Sequence, residues 1–123
     1  MTKYTHQFDT KSEHSAKHLG SGSLEVLSTP SIVAFMEHTA YLYAQETIKD
    51  SDYTTVGTEI VISHLAASKI GQAITIIITA LKEEGRRYDF RIEAYAGEKL
   101  VAKACHTRVR VDIQKFLGKL KKS

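Results

Sequence analysis

No tryptophan, one proline and one cysteine occur among the 123 residues of this chain, and each scarcity removes a class of protein. With Cys105 alone no internal disulfide can form, which excludes a disulfide-stapled secreted scaffold and fits a reduced, cytoplasmic setting. No apolar run approaches the ~20 residues needed to cross a bilayer, and the opening MTKYTHQFDTKSEHS lacks the apolar core of a secretory signal. No membrane partner is therefore expected. Charge is not lopsided either: Lys+Arg 17 against Asp+Glu 14 leaves a net +3. Four of the basic residues fall in the closing KFLGKLKKS, the pattern of a solvated terminal helix, so no nucleic-acid partner is expected. GSGS at 20–23 lacks the Lys-Ser/Thr that completes a phosphate-binding P-loop. The remaining composition, 42% hydrophobic and 25% charged, is that of a globular chain, and its length suits a single domain over 1–123.

What is present is one long helical pattern followed by strands. KYTHQFDT (3–10) alternates loosely and reads as a strand, and KSEHSAKHLGSGSLEVLS reads as a long, lid-like loop with a brief strand at its end. Thr29 is a suitable N-cap and Pro30 suits the first helical position, and no Gly or Pro follows until beyond Ile48. At 3.6 residues per turn, Ile32, Val33, Phe35, Met36, Ala40, Tyr43 and Ala44 form a broad apolar arc, leaving Ser31, His38 and Gln45 as a narrow polar sector. Most of this helix must be covered, as a sheet wrapped around it would do. The period then changes to 2 in runs at 55–66, 72–84, 86–96 and 98–112. In the third, Tyr88, Phe90, Ile92 and Ala94 face one way and Arg87, Asp89, Arg91 and Glu93 the other. EEGRR and AGEK are short, glycine-bearing links, so these strands should pair as antiparallel hairpins in an α+β domain.

Three polar residues stand out. Glu37 lies at the edge of the apolar arc with no cation at i±3 or i±4, so it reaches solvent, meets an arginine from the sheet, or lines a cleft. His64 shares a strand face with Ile60 and Ile62, where a satisfied core histidine is the commoner finding. Thr29 needs no role beyond capping. Singly, each has a structural explanation; together they are an alcohol, a carboxylate and an imidazole on two elements that should pack, the cast of an acyl-transfer site. Cys105, mid-strand beside Ala104, reads as a buried structural thiol. His14 and His18 are spaced i,i+4 without an apparent third ligand and read as surface residues, so no metal is expected.

VLSTPSIVAFMEHTA, TTVGTEIVISHLAAS and GRRYDFRIEAYAGEKLVAKACHTRVRVD together resemble the hotdog-fold thioesterases of the fluoroacetyl-CoA thioesterase type, from about residue 26 to 112. The resemblance implies a hotdog fold, a five-stranded antiparallel sheet wrapped around one long central helix, with acyl-CoA sites at the interface of a homodimer that could associate further. It implies hydrolysis of an acyl-CoA thioester to free acid and CoA, with no cofactor beyond the CoA of the substrate. The family's catalytic trio falls on Thr29, Glu37 and His64. Its TVGT segment, here 55–58, implies that the backbone N–H of Gly57 binds the thioester oxygen. CHTR implies a substrate-orienting or carboxylate-pairing role for Arg108, with His106 beside it. The match fails before the helix, where the family's lid phenylalanines are replaced by Gly20 and Ser23. That points to a small, ordinary acyl group. A non-catalytic acyl-CoA-binding module and a hotdog acyl-CoA hydratase or dehydratase are the competing expectations, the latter weakened because Asp52 and Asp89 are poorly placed for an Asp/His pair.

Overall fold

The computed structural model describes residues 4–121. Strand β1 (Tyr4–Phe8) leads through a 3-10 turn (Ser12–His14) and a short helix α1 (Ala16–Leu19) into the long helix α2 (Thr29–Ile48). Four strands follow, β2 (Tyr53–His64), β3 (Ile74–Glu84), β4 (Arg87–Ala96) and β5 (Lys99–Asp112), and helix α3 (Ile113–Lys121) ends the described chain. The five strands form one antiparallel sheet in the order β1-β3-β4-β5-β2. The β3–β4 and β4–β5 links are two-residue turns beginning at Gly85 and Gly97, whose positive φ angles of 59° and 64° are the left-handed geometry such hairpins need.

Alternation decides which face of the sheet meets α2. Ile74, Ile76 and Ile78 of β3, Tyr88, Phe90, Ile92 and Ala94 of β4, and Ala102 and Ala104 of β5 are buried together with Ile32, Phe35, Met36, Ala40 and Ala44 of the helix. Each large aliphatic or aromatic side chain so covered contributes roughly 1.5–3 kcal/mol, so the helix is held by packing far more than by its own propensity. The period-2 reading of β4 holds, residue for residue, on its buried face.

Four expectations need correction. Ser28, not Thr29, caps α2: its hydroxyl accepts from Ser31 N at 3.1 Å, and Pro30 is the second helical residue. Ser31 is buried rather than part of a polar sector, its hydroxyl donating to the His14 carbonyl at 3.0 Å. The 11–28 segment is not one loop. The 3-10 turn, α1 and the isolated bridge Ser15↔Leu27 fold it back on itself, the bridge Val26↔Lys69 ties it to the β2–β3 link, and His14 is half-buried with its ring 5.2 Å from that of Phe35. Cys105 is exposed: its neighbours Ala104 and His106 are buried, and like Lys103 it lies on the alternate face of β5.

The two edges of the sheet are unequal. β1 runs for five residues, whereas β2 runs for twelve and pairs only with β5. Along β2 the ladder slips once, between Gly57 and Glu59, a bulge that re-aims the strand next to α2.

Candidate active site

With Ser28 serving as cap, the hydroxyl of Thr29 is free for other use, and it lies 2.7 Å from His64 Nδ1. His64 is the last residue of β2 and half-buried. Its other ring nitrogen, Nε2, is buried and has no hydrogen-bond partner among the described residues. In one tautomer Thr29 donates to Nδ1 and Nε2 carries the proton; in the other, Nδ1–H donates to the hydroxyl and Nε2 offers a lone pair. Either way, Nε2 is left able to give or take a proton, without a partner among the described residues.

The second group forms around Gly57. A Cβ placed on Gly57 would lie 3.2 Å from His106 Cε1, 3.3 Å from Glu37 Oε2 and 3.4 Å from Arg108 Nη1. The φ of Gly57 is not positive, so glycine is required here by space and not by backbone conformation. Glycine lets a carboxylate from α2 and a cation from β5 close on one point of the β2 backbone. This answers the question Glu37 posed: an arginine from the sheet stands beside it, though no direct hydrogen bond joins the two.

Arg108 is 8% exposed and held on three sides. Nε donates to Thr55 Oγ1 at 2.8 Å, Nη2 to the Thr55 carbonyl at 2.9 Å, and Nη1 lies 3.2 Å from His106 Nε2. Burial lowers its pKa, while the charges of Glu37 and then Tyr41 act to raise it. An arginine remains a cation through such a shift. His106 is 1% exposed. Its Nδ1 is 2.8 Å from the Glu59 carbonyl, and a carbonyl only accepts, so Nδ1 carries the hydrogen. Nε2 therefore holds the lone pair that takes the Arg108 Nη1–H. Burial, first, pushes the His106 pKa down; the Glu59 bond raises it, Arg108 lowers it and Glu37 raises it. The outcome is a neutral imidazole wedged against a cation.

The structure thus brings the sequence-derived residues together in two groups, Thr29 with His64, and Glu37 with Gly57 and Arg108. Eight helical residues separate Thr29 from Glu37, a rise of about 12 Å. Seven strand residues separate Gly57 from His64, roughly 23 Å of extended chain. Gly20 and Ser23 are exposed in the folded 16–27 segment, flanked by the exposed Leu19 and Leu24. Asp89 is engaged by Arg87 and Thr107, which hold its pKa low, and Asp52 lies in the turn before β2; neither joins the two groups. Thr55 was missed in the sequence. Only its strand alternation with Gly57 could have indicated it.

A curated fluoroacetyl-CoA thioesterase of Streptantibioticus cattleyicolor is 27% identical over 125 residues, covering 97% of this chain and 89% of that protein. A mutant of the fluoroacetyl-CoA-specific thioesterase FlK, solved in complex with fluoroacetate and CoA, superposes with a TM-score of 0.88 at 26% identity, covering 98% of each chain. A Thermus thermophilus hypothetical protein, a thioesterase superfamily member, shares the fold with a TM-score of 0.83 at 19% identity over 97% of this chain and 90% of that one. The fluoroacetyl-CoA-specific thioesterase (FlK) profile matches residues 10–114, and the chain belongs to that family.

Proposed function

We propose that this protein hydrolyses a small acyl-CoA thioester to the free acid and CoA, at a site completed by two copies of the chain. The observation that carries the reading is the division of the polar residues into two separated groups, each incomplete. The long unpaired edge of β2 supports the way they are joined. Two β2 edges paired antiparallel about a two-fold axis through Val61, with Thr58 skipped at the bulge, would set Gly57 opposite the partner's His64, and so Glu37 beside His64 of the partner subunit. The unpaired Nε2 of His64 would then face the carboxylate group across the interface.

In that setting water adds to the thioester carbonyl carbon, or Glu37 attacks it first, expelling the CoA thiolate and leaving an anhydride that water then hydrolyses. As base, Glu37 takes the proton of the incoming water, and the C–S bond breaks as the tetrahedral intermediate collapses. The backbone N–H of Gly57 stabilises the oxyanion, and Arg108 orients the carboxylate or the acyl group. His64, steadied by Thr29, delivers a proton to the departing thiolate. The acyl group is small and ordinary, because exposed Gly20 and Ser23 occupy the lid positions where the family resemblance places phenylalanines.

A panel of short- and medium-chain acyl-CoAs with a thiol-reactive dye tests the reading directly. Thiol release that Glu37→Gln abolishes is the expected result. Binding of acyl-CoA with no release from any member of the panel would replace the enzyme by an acyl-CoA-binding module.

A further inference from the structure

Arg108 is more firmly held than a merely charged neighbour of Glu37 needs to be. Three of its N–H groups are committed, two to Thr55 and one to His106, and His106 is itself fixed by the Glu59 carbonyl. Thr55 and His106 are 4% and 1% exposed; the Thr55 hydroxyl oxygen accepts from Nε, and the imidazole presents Cε1, not a nitrogen, to Gly57. What they determine is where the second Nη1 hydrogen of Arg108 goes. With one Nη1–H taken by His106 Nε2 and the guanidinium plane set by Thr55, the other is restricted to the side of Gly57 and Glu37.

We infer that Thr55 and His106 are positioning residues, acting through Arg108 to aim one guanidinium N–H into the gap between Gly57 and Glu37. This rests on the thioesterase reading for its kinetic consequence, though not for its geometry. His106 serves as a neutral acceptor, a role no lysine or arginine could fill beside another cation. Burial supports that role by keeping the ring uncharged. Thr55 lies on edge strand β2 and Arg108 on β5, so the clamp also ties the bulged stretch of β2 to its only neighbour at the point where the site forms.

Paired substitutions separate positioning from packing. Thr55→Val keeps the volume and removes the acceptor, while Thr55→Ser restores it. His106→Asn keeps a donor toward the Glu59 carbonyl and removes the acceptor facing Arg108, while His106→Gln keeps that acceptor. The valine and asparagine variants should lose kcat by about 10- to 100-fold, the effect of one hydrogen bond to a charged group. KM should stay within about threefold, with serine and glutamine recovering most of kcat. In parallel, nitrogen-15 spectra should show slow guanidinium rotation at Arg108 in the wild type, serine and glutamine proteins and its loss in the other two. Unchanged kcat and Arg108 signals in the valine and asparagine variants would overturn the inference, as would serine and glutamine variants no better than these. The two sites are read independently, so one misfolded variant leaves the other decisive. If the wild-type protein releases no thiol from any acyl-CoA, the functional reading fails while the Arg108 signals still decide the positioning.

Discussion

The two ends of the first half of α2 are held in opposite ways. At half-buried Glu37 the surroundings are over-determined: buried Arg108 and His106 have their nitrogens committed, and Gly57 leaves no room to spare. At Thr29 a single 2.7 Å contact joins an exposed residue to a half-buried histidine whose other nitrogen lacks a partner among the described residues. The difference follows from the sheet. Residues 55, 57, 106 and 108 lie on adjacent strands within a few registers of one another, so one protomer can build a rigid cradle for charge. His64 ends a strand at the sheet edge, and among the described residues its hydrogen-bond partner is Thr29 at the helix N-terminus. A fixed, charged half and an open half with a spare imidazole nitrogen fit the proposed site assembled from two copies.

The strongest way to break this comparison is to disable the ends separately. Glu37→Gln and His64→Asn should each lower kcat by about a thousandfold, within the range for lost acid–base groups, with little change in melting temperature. Mixing the two dead proteins after reversible dissociation should restore about a quarter of wild-type activity, since half the reassorted dimers carry one intact composite site of two. No recovery would place both residues in the same subunit's site. Gly57→Ala attacks the crowded end without removing any polar group. Its Cβ would press on three side chains at 3.2–3.4 Å, and kcat/KM should fall by about tenfold or more through misplacement alone. Thr29→Val, at the open end, should cost roughly tenfold in kcat, and Thr29→Ser much less, both read in the same thiol-release assay.

The smallest effect is on stability against pH. Because burial holds the His106 pKa below the ordinary histidine value, the unfolded chain takes up a proton first as pH falls. Stability is therefore complete above about pH 6.5, declines below it, and levels off beneath the folded pKa. Melting temperatures from about pH 8 to about pH 5 should show this component in the wild type and lack it in His106→Gln.

Much of this was legible from residue patterns. The span of α2, the hairpins and the buried face of β4 follow from periodicity and turn glycines, since both express burial directly. Glu37 could be recognised as anomalous, but its partner could not, because Arg108 meets it only through strand pairing between β2 and β5. Thr29 was misread as the cap because Ser28 and Thr29 are equally suited by type. The choice was made by the Ser28–Ser31–His14 hydrogen bonds, which depend on where the 11–28 segment folds. The roles of Thr29, Glu37 and His64 came from family resemblance rather than spacing. Cys105 was assigned to the interior because strand residues in a central position are usually covered, yet here only one face of the sheet carries a helix.

The inequality of the sheet edges bears on how far such a protein can assemble. An open twelve-residue strand is a template for uncontrolled addition. If each copy uses it on another copy through a two-fold axis, the template is consumed on both sides at once. The resulting ten-stranded sheet would end at both margins in β1, only five residues long. Growth by strand addition would then terminate at the pair, so that the edge which completes the chemistry also protects the protein from polymerising.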